Sequence, residues 1–120
     1  MRHIPVGELS TGTRRIVQLA CVLAADPSVV LLDEPAGGLA QREVEALVPV
    51  LQSVQERTGC SLVIVEHDVP LLRTLCDELV AFEAGEVIAT GTPEVVLAHP
   101  RVIASYLGDQ LAAVERSGAR

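Results

Sequence analysis

The apolar residues near the start of the chain recur at helical spacing. They lie between residues 11 and 25, and the positions that define the spacing are Ile16, Leu19, Ala20 and Leu23. Ser10 stands directly before them and is a favoured N-cap residue, so a helix is predicted over residues 11–25. A second helix is predicted over residues 41–58 with its end at Gly59, and Pro49 inside it is expected to kink or break it.

Two short segments are apolar at almost every position. The first is Val29-Val30-Leu31-Leu32, which a loop over residues 33–40 follows, and the second covers residues 61–65. Continuous apolar runs of this length suit parallel strands that are covered on both faces. Because strands and helices alternate, the predicted fold class is α/β, with parallel strands and flanking helices.

The segment after His67 contains a hairpin signal. A short helix is predicted first, with the apolar residues Val69, Leu72, Leu75 and Cys76 on one side. Residues 78–83 and 86–90 then flank Ala84-Gly85, a pattern that predicts a β-hairpin.

Two further short helices are predicted near the end of the chain. Thr92 can cap a helix that has Pro93 at its first position, which is the favoured place for proline. A last helix is expected from about Arg101 to Leu107. The residues after it are expected to be loosely held, because chain ends fray unless they are docked.

The charged residues narrow the range of possible functions. The 120 residues include 16 acidic and 9 basic ones, which gives a net charge of −7, and every basic residue is Arg. No basic face is expected to neutralise nucleic-acid phosphates, so a nucleic-acid binder is disfavoured. Since Lys is absent, this stretch cannot contain a P-loop that ends in Gly-Lys-Ser or Gly-Lys-Thr.

Cysteine spacing argues against a zinc or disulfide site, and hydropathy argues against a membrane-spanning segment. Cys21, Cys60 and Cys76 are far apart, so they support neither a zinc knuckle nor a disulfide framework, and three buried or half-buried thiols are expected. No apolar run approaches the roughly 20 residues that cross a bilayer. The start of the chain also lacks the apolar core of a signal peptide. We therefore expect a soluble chain that is able to dock on a membrane protein.

The segment Leu9-Ser10-Thr11-Gly12-Thr13 leads directly into the first predicted helix. A hydroxyl, a glycine and unpaired backbone N–H groups would gather at that helix N-terminus, where the helix dipole is positive. Such a tip can bind an anion, although most caps of this kind bind none.

Asp33 and Glu34 end the first predicted strand. In open α/β sheets, ligands bind outside the carboxyl ends of the strands. Adjacent carboxylates there are favoured by a cation, and Mg²⁺ takes one or two carboxylates together with substrate phosphates. The alternative is a solvated acidic turn. His67 follows the second strand within Val65-Glu66-His67-Asp68, so it is predicted at the same sheet edge. Its imidazole is suited to donate to a phosphate oxygen or to a water, although a lone His is more often structural.

In order and spacing, these segments resemble the C-terminal half of an ATP-binding-cassette (ABC) ATPase subunit. Leu9 to Thr13 is similar to the family's signature loop, usually Leu-Ser-Gly-Gly-Gln, and Leu31 to Pro35 is similar to its Walker B segment with the adjoining catalytic Glu. Gly38-Leu39-Ala40 occupies the place of the D-loop, and His67 that of the switch histidine. The ending, from Ala89 to Gly108, is similar to that of branched-chain amino acid importer ATPases.

The resemblance implies a partial P-loop NTPase-type fold whose P-loop half is missing. Residues 1–108 would form the C-terminal part of a nucleotide-binding domain, and residues 109–120 a tail. Two such domains would face each other and sandwich ATP and Mg²⁺. The chain would work at the inner face of the cell membrane, bound to a second ATPase subunit and to membrane permease subunits.

The resemblance also implies a role for each candidate residue. Ser10, Thr11, Gly12 and Thr13 would contact the γ-phosphate of ATP held by the partner subunit. Asp33 would hold Mg²⁺ through water, Glu34 would orient and deprotonate the attacking water, and His67 would contact the γ-phosphate. Positioning and charge stabilisation carry most of the rate of phosphoryl transfer, so these residue types suit the chemistry.

Three residues depart from the family pattern. Thr11 and Thr13 replace the usual Gly and Gln, and Ala40 stands where the D-loop commonly has Asp. One alternative is an ABC-type ATPase of chromosome maintenance or DNA repair, which the acidic balance disfavours. The other alternative is a non-catalytic module that pairs with a complete ATPase. It is disfavoured because Glu34 fills the position of the family's catalytic base.

Overall fold

The computed structural model describes residues 3–108, which fall into two compact units divided between Leu71 and Leu72. In chain order, the elements are α1 (Thr11–Leu23), β1 (Val29–Asp33), α2 (Gln41–Thr58), β2 (Ser61–Val65), α3 (Val69–Leu75), β3 (Leu79–Glu83), β4 (Glu86–Gly91), α4 (Pro93–Leu97) and α5 (Pro100–Val102). A 3₁₀ turn at Val6–Glu8 precedes them, and a π-helical turn at Ile103–Leu107 follows. The mixed α/β class is confirmed.

The two long helices begin and end where local chemistry predicts. The Ser10 hydroxyl accepts a hydrogen bond from the Thr13 N–H at the start of α1, and Gly59 ends α2 in the left-handed conformation with φ +69°. The expected break at Pro49 is wrong, because α2 runs through it as one helix. Four buried residues hold the helix in place on both sides of the proline: Val44, Leu47, Leu51 and Val54.

Strands β1 and β2 pair in parallel, with Val29 opposite Ser61 and Asp33 opposite Val65. The described residues, 3–108, cover only one face of this pair. Val30 is 2% exposed, whereas Leu31, the next residue, is 76% exposed. The expectation of cover on both faces is therefore not met by the described residues. The uncovered apolar side chains are Val29, Leu31, Val63 and Val65.

The second unit is built on an antiparallel hairpin. Strands β3 and β4 pair around Ala84 and Gly85, which both have positive φ, so the predicted hairpin is confirmed. The core of this unit is Leu79, Val96 and Val102. Tyr106 donates to the Phe82 carbonyl, which ties the π-helical turn to β3.

Several smaller predictions are corrected or fall outside the described residues. Thr92 stands at the N-cap of α4, but its side chain makes no cap hydrogen bond. Cys21 is exposed rather than half-buried, while Cys60 is buried. The predicted tail at residues 109–120 lies outside the described residues. None of the helices between residues 3 and 108 has the length and apolar character needed to cross a membrane.

Candidate functional site

Ser10 organises the N-terminus of α1. Its carbonyl accepts from the Arg14 N–H at 2.9 Å, and its hydroxyl accepts from the Thr13 N–H at 3.2 Å. The Ser10 and Thr13 hydroxyl oxygens are also hydrogen-bonded to each other at 2.9 Å. Of the four N–H groups that a helix start leaves unpaired, these bonds satisfy that of Thr13. Within residues 3–108, the N–H groups of Thr11 and Gly12 have no such partner.

The loop after β1 and the start of α2 each make a contact with α1 that the sequence did not indicate. The Arg15 guanidinium donates to the Gly37 carbonyl at 2.7 Å. The Glu43 carboxylate accepts from the Ala40 N–H at 3.0 Å, and its other oxygen lies so close to Gly12 that a Cβ there would stand 2.8 Å away. Gly12 therefore permits a close approach between the start of α1 and the start of α2.

Glu34 continues the backbone ladder of β1 and then turns the chain. Its N–H donates to the Val65 carbonyl at 2.8 Å, and its carbonyl accepts from the Gly37 N–H at 2.9 Å. Its φ is +45°, a left-handed conformation that is unusual for a residue with a side chain. Two hydrogen bonds thus hold Glu34 in a strained turn at the carboxyl end of the strand.

His67 and Glu34 are brought together, as the sheet-edge argument predicts. The Nδ1 atom of His67 lies 3.6 Å from Oε1 of Glu34, and both side chains are well exposed, at 74% and 58%. They meet because their two parallel strands end side by side. An exposed carboxylate beside an imidazole can accept a proton from water and can hold that water in place.

Asp33 lies one residue before Glu34, on the uncovered face of β1. Among residues 3–108, no partner forms a hydrogen bond or an ion pair with its carboxylate. An exposed, unpaired carboxylate fits a Mg²⁺ ion that takes its remaining ligands from phosphates and water. The described residues contain no group of three or more side chains suited to hold a metal by themselves.

Glu66 is a component of the site that the sequence analysis did not assign. Its side chain is only 1% exposed. It accepts hydrogen bonds from the N–H groups of Ala36 at 2.8 Å, His67 at 3.0 Å and Asp68 at 3.3 Å. Its position at the end of a strand was the one available signal.

The structure does not join all the candidate residues in one cluster. Among residues 3–108, no hydrogen bond or ion pair connects Ser10, Thr11, Gly12 or Thr13 to Glu34 or His67. A cavity of about 160 Å³ reaches Asp33, but its lining is largely apolar, with Leu19, Val30 and Leu51. Small-molecule pockets span roughly 300–1,000 Å³, so this cavity is too small to enclose a nucleotide.

Two family models match the sequence. Residues 1–37 match the ABC transporter model, and residues 86–112 match the model of the branched-chain amino acid ATP-binding cassette transporter. The first segment includes the Ser10 loop, Asp33 and Glu34.

Curated relatives resemble most of this chain. The zinc import ATP-binding protein ZnuC of Halorhodospira halophila is 38% identical over 107 residues, which are 87% of this chain and 41% of that protein. The high-affinity branched-chain amino acid transport ATP-binding protein BraF of Pseudomonas aeruginosa is 32% identical over 103 residues, 86% of this chain and 40% of that protein. The chain thus spans about 41% of the length of the first of these relatives.

Solved structures share the fold. The ADP conformation of MJ1267, an ATP-binding cassette of an ABC transporter, aligns with a TM-score of 0.76 and 27% identity over 85% of this chain and 41% of that one. CbiO1 from Clostridium perfringens, part of the ABC transporter complex CbiONQ, aligns with a TM-score of 0.74 and 34% identity, over 83% of this chain and 40% of that one.

Proposed function

The chain belongs to the family of ABC transporter ATP-binding subunits, and we propose that it carries the water-activating part of such a subunit's ATP hydrolysis site. The observation that supports this most directly is the Glu34–His67 pair, which lies at the carboxyl ends of two adjacent parallel strands. The chain holds no P-loop lysine. The nucleotide would therefore be cradled by residues outside this stretch.

Glu34 is proposed to hold and deprotonate the attacking water. Its carboxylate is exposed, and the strained turn at φ +45° fixes its direction. General-base assistance of this kind contributes about 10²–10⁴-fold to a rate. Because Nδ1 of His67 faces Glu34, the opposite ring nitrogen, Nε2, would face the γ-phosphate, and it donates there when the imidazole carries a proton on both nitrogens.

Asp33 is proposed to hold Mg²⁺ through a water molecule. Bound Mg-ATP supplies the transferable phosphoryl group and a divalent charge that offsets the phosphate oxygens. Asp33 suits this role because its carboxylate is exposed and lies one residue before Glu34. The metal and the base would then be placed by the same strand.

The start of α1 is proposed to face the nucleotide of a second subunit. The N–H groups of Thr11 and Gly12 point from a helix N-terminus, which favours an anion. Thr13 stands where the family commonly has Gln, and its hydroxyl is bonded to that of Ser10. The two hydroxyls would approach the γ-phosphate as a pair.

The whole subunit is proposed to power solute transport at the inner face of the cell membrane, bound to permease subunits. Branched-chain amino acids are the favoured solute class, because the C-terminal family model is that of their importers. Relatives named for zinc import and for lipopolysaccharide export match the chain as well. Uptake of labelled leucine and of zinc by cells with and without the subunit would separate these solutes.

The hydrolytic role is tested by Glu34→Gln in the full-length subunit. We expect Mg-ATP binding to remain and turnover to fall by at least about 100-fold, since Gln cannot accept the proton. Glu56→Gln, which makes the same chemical change at an exposed position of α2, is the matched control and should leave turnover unchanged. Unchanged turnover in Glu34→Gln would show that Glu34 is not the base.

A further inference from the structure

Glu66 bonds to both loops that carry the proposed catalytic pair. One carboxylate oxygen accepts from the Ala36 N–H at 2.8 Å, two residues after Glu34. The other accepts from the N–H groups of His67 at 3.0 Å and Asp68 at 3.3 Å. A single side chain therefore links the loop after β1 to the loop after β2.

The Glu66 carboxylate is buried, and among residues 3–108 no arginine forms an ion pair with it. Its side chain is 1% exposed, and Nδ1 of the exposed His67 ring lies 3.8 Å from it. A buried carboxylate is costly unless hydrogen bonds satisfy it. The three backbone N–H groups do so, and as charge-assisted bonds they are stronger and more directional than neutral ones. The two loops are consequently fixed relative to each other by the charge between them.

The strands alone do not set the geometry of Glu34 and His67. Backbone pairing ends with the Glu34 N–H bonded to the Val65 carbonyl, and both side chains project beyond that point. Their 3.6 Å separation depends on how the loops continue, and Glu66 is the group that joins those continuations.

We infer that Glu66 is a positioning residue, which sets the distance between Glu34 and His67 and thereby the rate of ATP hydrolysis. It touches neither the water nor the phosphate and acts through the two loops. This role rests on the proposed function, because it presupposes that Glu34 and His67 serve hydrolysis.

The first arm of the test measures the loop link itself, in this chain, by amide hydrogen exchange. Glu66→Gln keeps the shape but replaces one acceptor oxygen with an NH₂ group, which cannot accept an N–H bond. We expect faster exchange, by about tenfold or more, at one or more of the amides of Ala36, His67 and Asp68. Glu56→Gln should leave all three unchanged. Unchanged exchange in Glu66→Gln would overturn the inference.

The second arm measures turnover in the full-length subunit. We expect Glu66→Gln to lower kcat by about tenfold or more, with KM for Mg-ATP changed less than about twofold, because misplacement by 1 Å can cost about 100-fold. In a His67→Ala background, Glu66→Gln should lower kcat little further, because the effects of substituting two residues that act through one another do not add. Glu56→Gln again serves as the control.

The outcomes separate the two proposals. If the wild-type subunit hydrolyses ATP and Glu66→Gln behaves like Glu56→Gln, the positioning role is wrong while the proposed function stands. An equal loss of kcat with and without the His67 side chain would also overturn the positioning role, because it indicates a general structural effect. A wild-type subunit that does not hydrolyse ATP would overturn the proposed function and the positioning role with it, even where exchange shows the loop link.

Discussion

Truncating Leu31 tests whether the bare face of β1 is covered in the complete subunit. Burying a leucine side chain fully stabilises a protein by about 1.5–3 kcal/mol. Leu31 is 76% exposed here, so only about a quarter of that is available. In this chain, Leu31→Ala should therefore change the free energy of unfolding by less than about 0.7 kcal/mol. With the face covered, the same change should cost about 2–5 kcal/mol.

Leu51→Ala is the matched control, because Leu51 is 1% exposed on the covered side. It should cost about 2–5 kcal/mol in either context. Urea unfolding gives the free energies for the full-length subunit. In this chain, susceptibility to a protease compares the two variants without requiring a cooperative transition. A cost below about 1 kcal/mol for Leu31→Ala in the full-length subunit would refute the reasoning that such apolar strands require cover on both faces.

Three further outcomes are expected. Titration calorimetry of this chain with Mg-ATP should give weak binding or none, since the P-loop lies outside it, and micromolar affinity would contradict this. Gly12→Ala should displace the Glu43 carboxylate from the Ala40 N–H and speed hydrogen exchange of that amide, while the free energy of unfolding changes by less than about 1 kcal/mol, because alanine favours a helix over glycine by a similar amount. Unchanged exchange at the Ala40 amide would contradict this. Hydrogen bonds from Ser105 and then Arg101 lower the pKa of Glu83. The stabilisation of the fold by the ionised Glu83 is therefore complete at neutral pH and is lost as the pH falls through the lowered pKa. Carboxyl NMR should show that the pKa of Glu83 rises in Ser105→Ala.

The helix and strand positions followed from the sequence because their signals are local. Gly59 ended α2 as a C-cap glycine should, and Ala84-Gly85 marked the hairpin. The meeting of Glu34 and His67 also followed, because parallel strands end at one edge of a sheet. Each of these predictions required only residues that are close together in the sequence, or one rule of sheet topology.

The remaining features depend on tertiary contacts that no local pattern encodes. Pro49 did not break α2, because buried residues on both sides of it hold the helix. The three N–H bonds of Glu66 require two loops to converge, which a single acidic residue after a strand does not reveal. The exposure of Leu31 differs from the predicted cover because residues 3–108 cover only one face of its sheet.

The left-handed backbone at Glu34 sets stability against activity at one position. A residue with a side chain costs roughly 1–3 kcal/mol in such a conformation, whereas glycine adopts it freely. Selection for thermal robustness alone would therefore favour glycine at position 34, and the carboxylate would disappear with the strain. If ATP hydrolysis is the reason that Glu is retained at position 34, the subunit is less stable than it would be with glycine, and the stability is lost at the residue that is proposed to activate water.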